Sequence, residues 1–358
     1  MNGVCLEKVT QNMERLGLKQ LLITAPMSIK YLTGRYTAPG ERLVALMIKP
    51  GKTPVLAANS LFALKAIEGL ELMEYSDTEN PAQLLSELTD GGVLGVDKDM
   101  PCRFLLPLTD LRPDVRPVIG SPAVDMARML KTEAEIELMA ESSRLNDIVL
   151  KKTIAEVSAG MSEKDVAACY VRHAVEAGAD GESFDSLICF GASCAEPHPA
   201  TAGDKIKDGD SVILDVGLKY KGYCSDMTRT IFFGTPTEEQ KRVYDIVLAA
   251  NAAGKAAVKP GVPLKEIDRA ARKVIEEGGY GEYFIHRTGH GIGLEVHEPP
   301  DNSATSRVIA KPGMCFSVEP GIYLPGKFGV RIEDLVAVTE DGCETLNALG
   351  HELTVVSL

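Results

Sequence analysis

The sequence predicts an α+β chain in two parts: a smaller N-terminal α/β domain over residues 1–125 and a larger domain over 126–358 that contains one architectural unit twice. Three observations carry this. A length of 358 residues exceeds what one core usually fills, at roughly 150 residues per domain. The first third alternates short helical and strand-like pieces. Further on, the order helix, helix, carboxylate-bearing strand pair recurs at nearly one spacing. The interval from Thr132, opening the first unit, to Asp215 differs by a single residue from the interval between Thr237, opening the second, and Glu319.

In the first part, an amphipathic helix is expected near 4–16, an apolar strand at 21–24, a helix near 27–32 and strands around 43–48 and 54–57. A strand, VLGVD, at 93–97 and a helix near 101–110 follow. No cluster of catalytic residue types falls here. The polar loop 36–42 is either a plain surface turn or an arm toward a neighbouring site. PVIGSPAVD, around 117–125, breaks the pattern and marks the expected boundary.

Beyond it the helices carry start signals. Thr132 with Glu135 makes a T-x-x-E capping box ahead of a long amphipathic segment ending at Gly160, and Ser162 with Asp165 opens a second helix stopping near Gly178. Strand-like FDSLICF leads into SVILDVGLKYKGYCSDMTRTIFF at 211–233, two β-rich arms of a hairpin. Thr237 with Gln240 caps a helix through about Val258, Pro263 opens another to about Glu277, and a second strand pair holds Glu319 and Glu333. The two hairpins are expected to meet.

Composition excludes several classes. Apolar residues at 45% and charged residues at 25% are ordinary globular values. A net charge of −13 argues against nucleic acid or an anionic membrane as partner, since both demand a basic face. No apolar run approaches the roughly 20 residues of a span, and the N-terminus resembles neither a signal peptide nor an anchor. The 8 cysteines are scattered without a C-x-x-C pair, as expected of reduced, buried thiols in a cytoplasmic protein.

The chemistry concentrates in the second part. If the hairpin closes at Tyr220-Lys221, Asp215 and Asp226 stand directly opposite each other on one face, with Cβ atoms roughly 4.5–5.5 Å apart. Like charges so placed repel, and a hard divalent cation between them turns repulsion into coordination. Four of the 6 histidines lie in this half's polar motifs: His198 in EPHPA, then His286, His290 and His297 in HRTGHGIGLEVHEPP. Glycines at 289, 291 and 293 flank His290, as expected where backbone approaches an ion or ligand. Glu319 sits in apolar FSVEPGIY, where an unpaired carboxylate is costly. In VRIEDLVAV, alternation puts Arg331 and Glu333 on one face. Asp, Asp, His, Glu, Glu is a ligand set for two ions such as Mn, Co, Fe or Zn.

With DVG-x10-D, TGHGIG, VEPGIY and RIED in this order, the chain closely resembles the metal-dependent aminopeptidase/prolidase family with the pita-bread (creatinase/aminopeptidase) fold, whose two halves are related by a pseudo-two-fold duplication. The N-terminal α/β domain, His297 within EVHE and Arg331 before Glu333 look like its proline-specific branch, the Xaa-Pro dipeptidases and aminopeptidases P. The resemblance is strong over about 130–358 and rests on size and pattern before that.

This resemblance implies two divalent ions, manganese first. Asp226 and Glu333 would bridge them, Asp215 would complete one, and His290 with Glu319 the other. Glu319 would also be the proton acceptor. His297 and His198 would meet the substrate carbonyl and the oxyanion; His286 and Arg331 would shape the proline side, with Arg331 placed to attract a free carboxylate. Many members carry PHG at the position of His198, where this chain reads His198-Pro199-Ala200. The substrates implied are short peptides with proline second, and the assembly a homodimer. A methionine-type aminopeptidase, which shares the five ligands, and a non-catalytic binding relative are the alternatives.

Overall fold

The computed structural model describes residues 1–357, in two compact units that divide between Arg128 and Met129. The first holds six strands, β1 (Leu21–Ile23), β2 (Val44–Ile48), β3 (Val55–Asn59), β4 (Glu71–Tyr75), β5 (Gly92–Val96) and β6 (Val115–Ile119), in one sheet of order β4-β3-β2-β1-β5-β6. Five helices accompany it: α1 (Gly3–Arg15), α2 (Pro26–Thr33), α3 (Pro81–Leu88), α4 (Cys102–Leu111) and α5 (Pro122–Met129). The central strands β1 and β2 are buried at every position, as their unbroken apolar runs require. Residues 117–125, expected to break the pattern, instead complete β6 and begin α5. Pro117 is tolerated because β6 is an edge strand, where a missing N–H breaks no ladder. Within the polar loop, Arg42 forks onto both carboxylate oxygens of Asp77 at 2.8 Å.

The second unit opens with α6 (Glu133–Glu156) and α7 (Glu163–Glu176), each started by the expected capping box. Strands β7 (Gly181–Glu182), β8 (Leu187–Phe190), β9 (Ser211–Val216), β10 (Leu218–Tyr220), β11 (Tyr223–Cys224) and β12 (Met227–Phe233) follow. The order then repeats: α8 (Glu238–Ala257), capped by Thr237 and Gln240, α9 (Leu264–Glu277), β13 (Gly289–Gly291), β14 (Glu298–Asn302), β15 (Cys315–Val318), β16 (Gly321–Leu324), β17 (Phe328–Arg331) and β18 (Asp334–Val338). Short β19 (Cys343–Thr345) and β20 (Val355–Val356) close the chain. Leu150, Val166 and Tyr170 of α6 and α7 bury against Val212, Leu214 and Ile231, and Val243, Tyr244 and Ala271 of α8 and α9 against Phe232, Ile322 and Val330. Each helix pair thus covers strands of the duplicated hairpins.

Both hairpins change sheet partway. The outer arms β9 and β12 belong to a four-stranded sheet and the tip strands β10 and β11 to a three-stranded one; β15 and β18 lie in a five-stranded sheet, β16 and β17 in a pair of their own. The two hairpins meet, with Thr230 Oγ1 donating to the Arg331 carbonyl at 2.8 Å and the Glu333 N–H to the Thr228 carbonyl at 3.1 Å.

The register of the first hairpin differs from expectation. Its turn is Lys221-Gly222, both with positive φ (48° and 82°), so Tyr220 pairs with Tyr223 and Asp215 with Thr228 rather than Asp226. A two-residue hairpin turn of this type needs positive φ at both centres, which glycine supplies at one of them. The shift is by two residues, so Asp215 and Asp226 keep a common face as diagonal neighbours.

Six of the cysteines are buried, while Cys102 is exposed and Cys343 half-buried. No helix among the described residues is long and apolar enough to cross a membrane.

Candidate metal centre

The five expected ligands come from the places where the hairpins change sheet, plus one neighbouring strand. Asp215 is on β9, Asp226 immediately precedes β12, Glu319 immediately follows β15, Glu333 immediately precedes β18, and His290 is the centre of β13. At such breaks the backbone leaves its own ladder: the Glu319 N–H turns to the Thr288 carbonyl at 2.8 Å. Side chains from two sheets can therefore converge.

Ligand atoms of Asp226, His290 and Glu333 lie within 4.8 Å of one another. His290 Nε2 is 3.6 Å from Asp226 Oδ2 and 3.5 Å from Glu319 Oε1. Asp215 faces the same cavity, its Oδ2 accepting from Arg331 Nη2 at 2.6 Å. Around this cluster is a cavity of about 280 Å³, walled by all five residues together with His198, His286 and His297.

The glycines beside His290 have a different task from the expected one. A Cβ at Gly289 would stand 1.9 Å from the Ser317 carbonyl oxygen and one at Gly291 2.4 Å from the Pro299 carbonyl group. They let β13 fit between its neighbouring strands; they do not make room for an ion.

Electrostatics mark the cluster as incomplete. Burial, then the charges of Glu333, Asp215 and Glu319, push the Asp226 carboxyl well above its ordinary value. Burial followed by Glu319 and Asp215 does the same to Glu333, and burial lifts Glu319 to about 7. Burial holds His290 and His286 down at about 3, and His297 is lowered for the same reason. Asp226 Oδ1 and Glu333 Oε1 are buried with no hydrogen-bond partner. Buried carboxylate oxygens without donors are expensive, and a divalent cation is the partner whose chemistry suits them. The residues fit a metal.

Arg331 does not line the cavity. It is 1% exposed, and four of its five N–H donors are taken: Nε by Thr228 Oγ1 at 3.2 Å, Nη1 by the Pro197 carbonyl at 3.0 Å and Tyr323 Oη at 2.8 Å, Nη2 by Asp215. Direct contact with a substrate carboxylate, expected from sequence, is replaced by a hold on Asp215. Tyr323 passes the chain on, its hydroxyl 2.9 Å from His286 Nε2, while His286 Nδ1 lies 2.7 Å from the Arg287 carbonyl. A neutral imidazole donating from Nδ1 and accepting at Nε2 satisfies both contacts. His198 and His297 are exposed at the rim, and the His297 ring meets His290 edge-on at 4.3 Å between centroids. The loop bearing His198 is pinned by buried Glu163, which accepts from Phe190 N at 2.9 Å and Ala202 N at 2.7 Å.

Sequence reasoning missed the residues that orient the expected ligands. Thr228 Oγ1 donates to Glu333 Oε2 at 2.7 Å, and Ser317 Oγ accepts from His290 N at 3.0 Å and donates to Glu319 Oε1 at 3.2 Å. Both lie two residues from an expected ligand, so strand alternation was a usable signal. Phe184, Asp185, Leu187, Arg287 and Val296 also line the cavity; those of the loop before β8 carry no local signature.

Comparison with known proteins agrees with this geometry. Residues 137–340 match the model of metallopeptidase family M24, and residues 6–130 that of the creatinase/prolidase N-terminal domain. A probable dipeptidase PepE of Mycobacterium tuberculosis is 38% identical over 95% of this chain and 92% of its own. Among solved structures, a recombinant prolidase from Thermococcus sibiricus superposes with a TM-score of 0.93 at 36% identity, covering 98% of each chain. Dipeptidase PepE from Mycobacterium ulcerans does so with the same score and identity, over 99% of this chain and 98% of its own. Sequence, fold and the carboxylate-histidine cluster therefore agree: this chain belongs to metallopeptidase family M24, with the N-terminal domain of the creatinases and prolidases ahead of its pita-bread unit.

Proposed function

We propose that this peptidase hydrolyses the Xaa-Pro bond at the N-terminus of dipeptides or short peptides, with Asp215, Asp226, His290, Glu319 and Glu333 holding two divalent ions, manganese ahead of cobalt, iron or zinc. The observation that carries it is the meeting of these five side chains and three histidines in one cavity of about 280 Å³. The similar proteins named prolidase and dipeptidase support the choice of bond. When bound, the ions would offset the four carboxylates, polarise the scissile carbonyl and lower the pKa of an attacking water toward about 7.

The chain's own residues do the rest. Glu319 accepts a proton from the attacking water at a carboxylate oxygen and returns it to the proline nitrogen, so that the C–N bond breaks and a neutral secondary amine leaves. The partly desolvated ring of His297, packed edge-on against His290 at the rim, has its pKa lowered, and it donates one ring N–H to the developing oxyanion. His198 meets the substrate carbonyl from the opposite loop. His286 is held in one tautomer by Tyr323 and the Arg287 carbonyl, and stands on the proline side. A tertiary Xaa-Pro amide has no N–H to satisfy, so Phe184, Leu187 and Val296 can pack the ring without leaving a donor unpaired. Arg331 acts by keeping Asp215 in place.

The two compact units correspond in this reading to the N-terminal and catalytic domains, and the resemblance extends it to a cytoplasmic homodimer, which sedimentation of the purified protein tests. The activity is tested by assaying Ala-Pro, Leu-Pro and Met-Pro beside Met-Ala and Leu-Gly under one metal loading. The proline substrates should be fastest. If Met-Ala outpaces all of them, the enzyme is a methionine-type aminopeptidase.

A further inference from the structure

The glycine run around His290 has a third member, Gly293, with a task of its own. A Cβ there would stand 2.9 Å from Glu298 Oε2 and 3.0 Å from Lys131 Cε. The space it leaves is filled by an ion pair withdrawn from water: Lys131 Nζ and Glu298 Oε2 lie 3.5 Å apart, with 2% and 3% of the two side chains exposed. The chemistry above uses neither group. Desolvating two charges offsets most of their attraction, so a buried pair of this kind adds little stability and matters for the geometry it holds.

Both partners are anchored. Lys131 directly precedes Thr132, the cap of α6, and its N–H donates to the Gly313 carbonyl at 2.9 Å. Glu298 opens β14, where it pairs with Gly291 of β13, and its Oε1 accepts from the Glu295 N–H at 2.9 Å. The turn between β13 and β14 is closed by the Gly293 N–H donating to the Glu295 carbonyl at 3.0 Å, and the Cys224 N–H of the first hairpin donates to the Gly293 carbonyl at 2.8 Å. His297 is the last residue of this turn and lines the cavity. Unlike the ring of His286, its ring makes no hydrogen bond to any described residue, so its aim comes from its backbone and from the edge contact with His290. Successive side chains of an extended chain leave on opposite sides, so gripping Glu298 on the inner side sets the direction in which His297 leaves on the other.

We propose that Lys131 and Glu298 are positioning residues for His297: the buried pair sets the direction of the ring that donates to the oxyanion, without touching substrate or metal. This rests on the oxyanion role of His297 in the peptidase reading above, not on the preference for proline.

The test uses the double substitution Lys131→Met with Glu298→Gln, which removes both charges at nearly constant shape, so that neither is left buried alone, and keeps an acceptor for the Glu295 N–H. Glu298→Gln by itself is the milder variant on which every measurement is repeated, and it carries the test if the double variant does not fold. In the metal-loaded enzyme, on whichever of Ala-Pro or Met-Ala the natural protein cleaves, kcat should fall by about 10–10²-fold, within the cost of losing one oxyanion donor, while KM and metal content hold. In a His297→Ala background the same change should cost less than about 2-fold, because nothing is left to position. An equal drop in both backgrounds, no drop in the natural one, or a drop accompanied by loss of metal overturns the proposal. A second readout needs no activity. In zinc-loaded protein with isotope-labelled histidines, the His297 ring resonance, identified by its absence in His297→Ala, should shift or broaden in the double variant while that of His173 on α7 stays in place. If no peptide is cleaved, the peptidase reading fails on the assay and the resonance still decides whether the pair orients His297; a His297 resonance that does not move overturns the proposal.

Discussion

Stripping the metal should make the protein's stability depend on pH in an unusual direction. In the metal-free chain Glu319 titrates at about 7 instead of its ordinary 4.5, because it is buried. A carboxyl raised on folding stabilises the fold while it is protonated; the contribution is complete below about 4.5 and disappears as pH rises through about 7. The full shift corresponds to about 3 kcal/mol, of which about 2 kcal/mol falls between pH 5.5 and 8. Asp226 and Glu333 are raised as well and add in the same direction. The metal-loaded protein does the reverse, since ligands must lose their protons to bind and the bound ion stabilises only the folded chain. Calorimetric melting of chelated and loaded protein at pH 5.5 and 8 reads the difference. Titrations elsewhere in the molecule cancel between the two samples. The gap in Tm should widen toward pH 8 by at least roughly 4–8 °C, from the 2–4 °C per kcal/mol usual for a unit of this size. A gap that is constant with pH, or narrows, would mean these carboxylates are not the metal's ligands.

Two substitutions separate the roles assigned to the site. Glu319→Gln keeps shape and one coordinating oxygen but cannot take a proton, so kcat should fall by about 10²–10⁴, further than metal content does by elemental analysis; a variant that keeps its metals and works within a few-fold refutes the proton-acceptor role. His297→Ala should retain full metal content while kcat drops by about 10²–10³, the usual loss for one oxyanion donor; loss of metal together with activity would place His297 among the ligands.

Elements whose signals are local were legible. The capping boxes at Thr132, Ser162 and Thr237 start α6, α7 and α8 where the sequence places them, because a side chain bonding three residues away depends on nothing distant. The sheet edges were not. Strand β4 reads ELMEY and β6 reads VRPVI, with charges and a proline where a strand pattern wants alternation. Edges carry such residues because they discourage pairing with another chain, and so they hide the strand from a pattern search. The hairpin register failed for a related reason: placing the turn by its arms ignored that Gly222 is the residue built for positive φ.

The identities of the site residues were local too, whereas the partners that decide what each side chain can do are distant. Arg331 and Glu333 do share a face, as alternation requires, since Arg331 Nε donates to the Thr228 hydroxyl and that hydroxyl donates to Glu333. A face alone does not say whether an arginine meets substrate or structure. That depends on how many acceptors surround it, and three of the four that Arg331 meets, Asp215, Thr228 and the Pro197 carbonyl, are each more than a hundred residues away, Tyr323 being the near one. Arg287 shows the converse. Nothing in its sequence neighbourhood separates it from Arg331, and only the fold does so, by burying the Arg331 guanidinium against Asp215 and leaving Arg287 at the cavity wall.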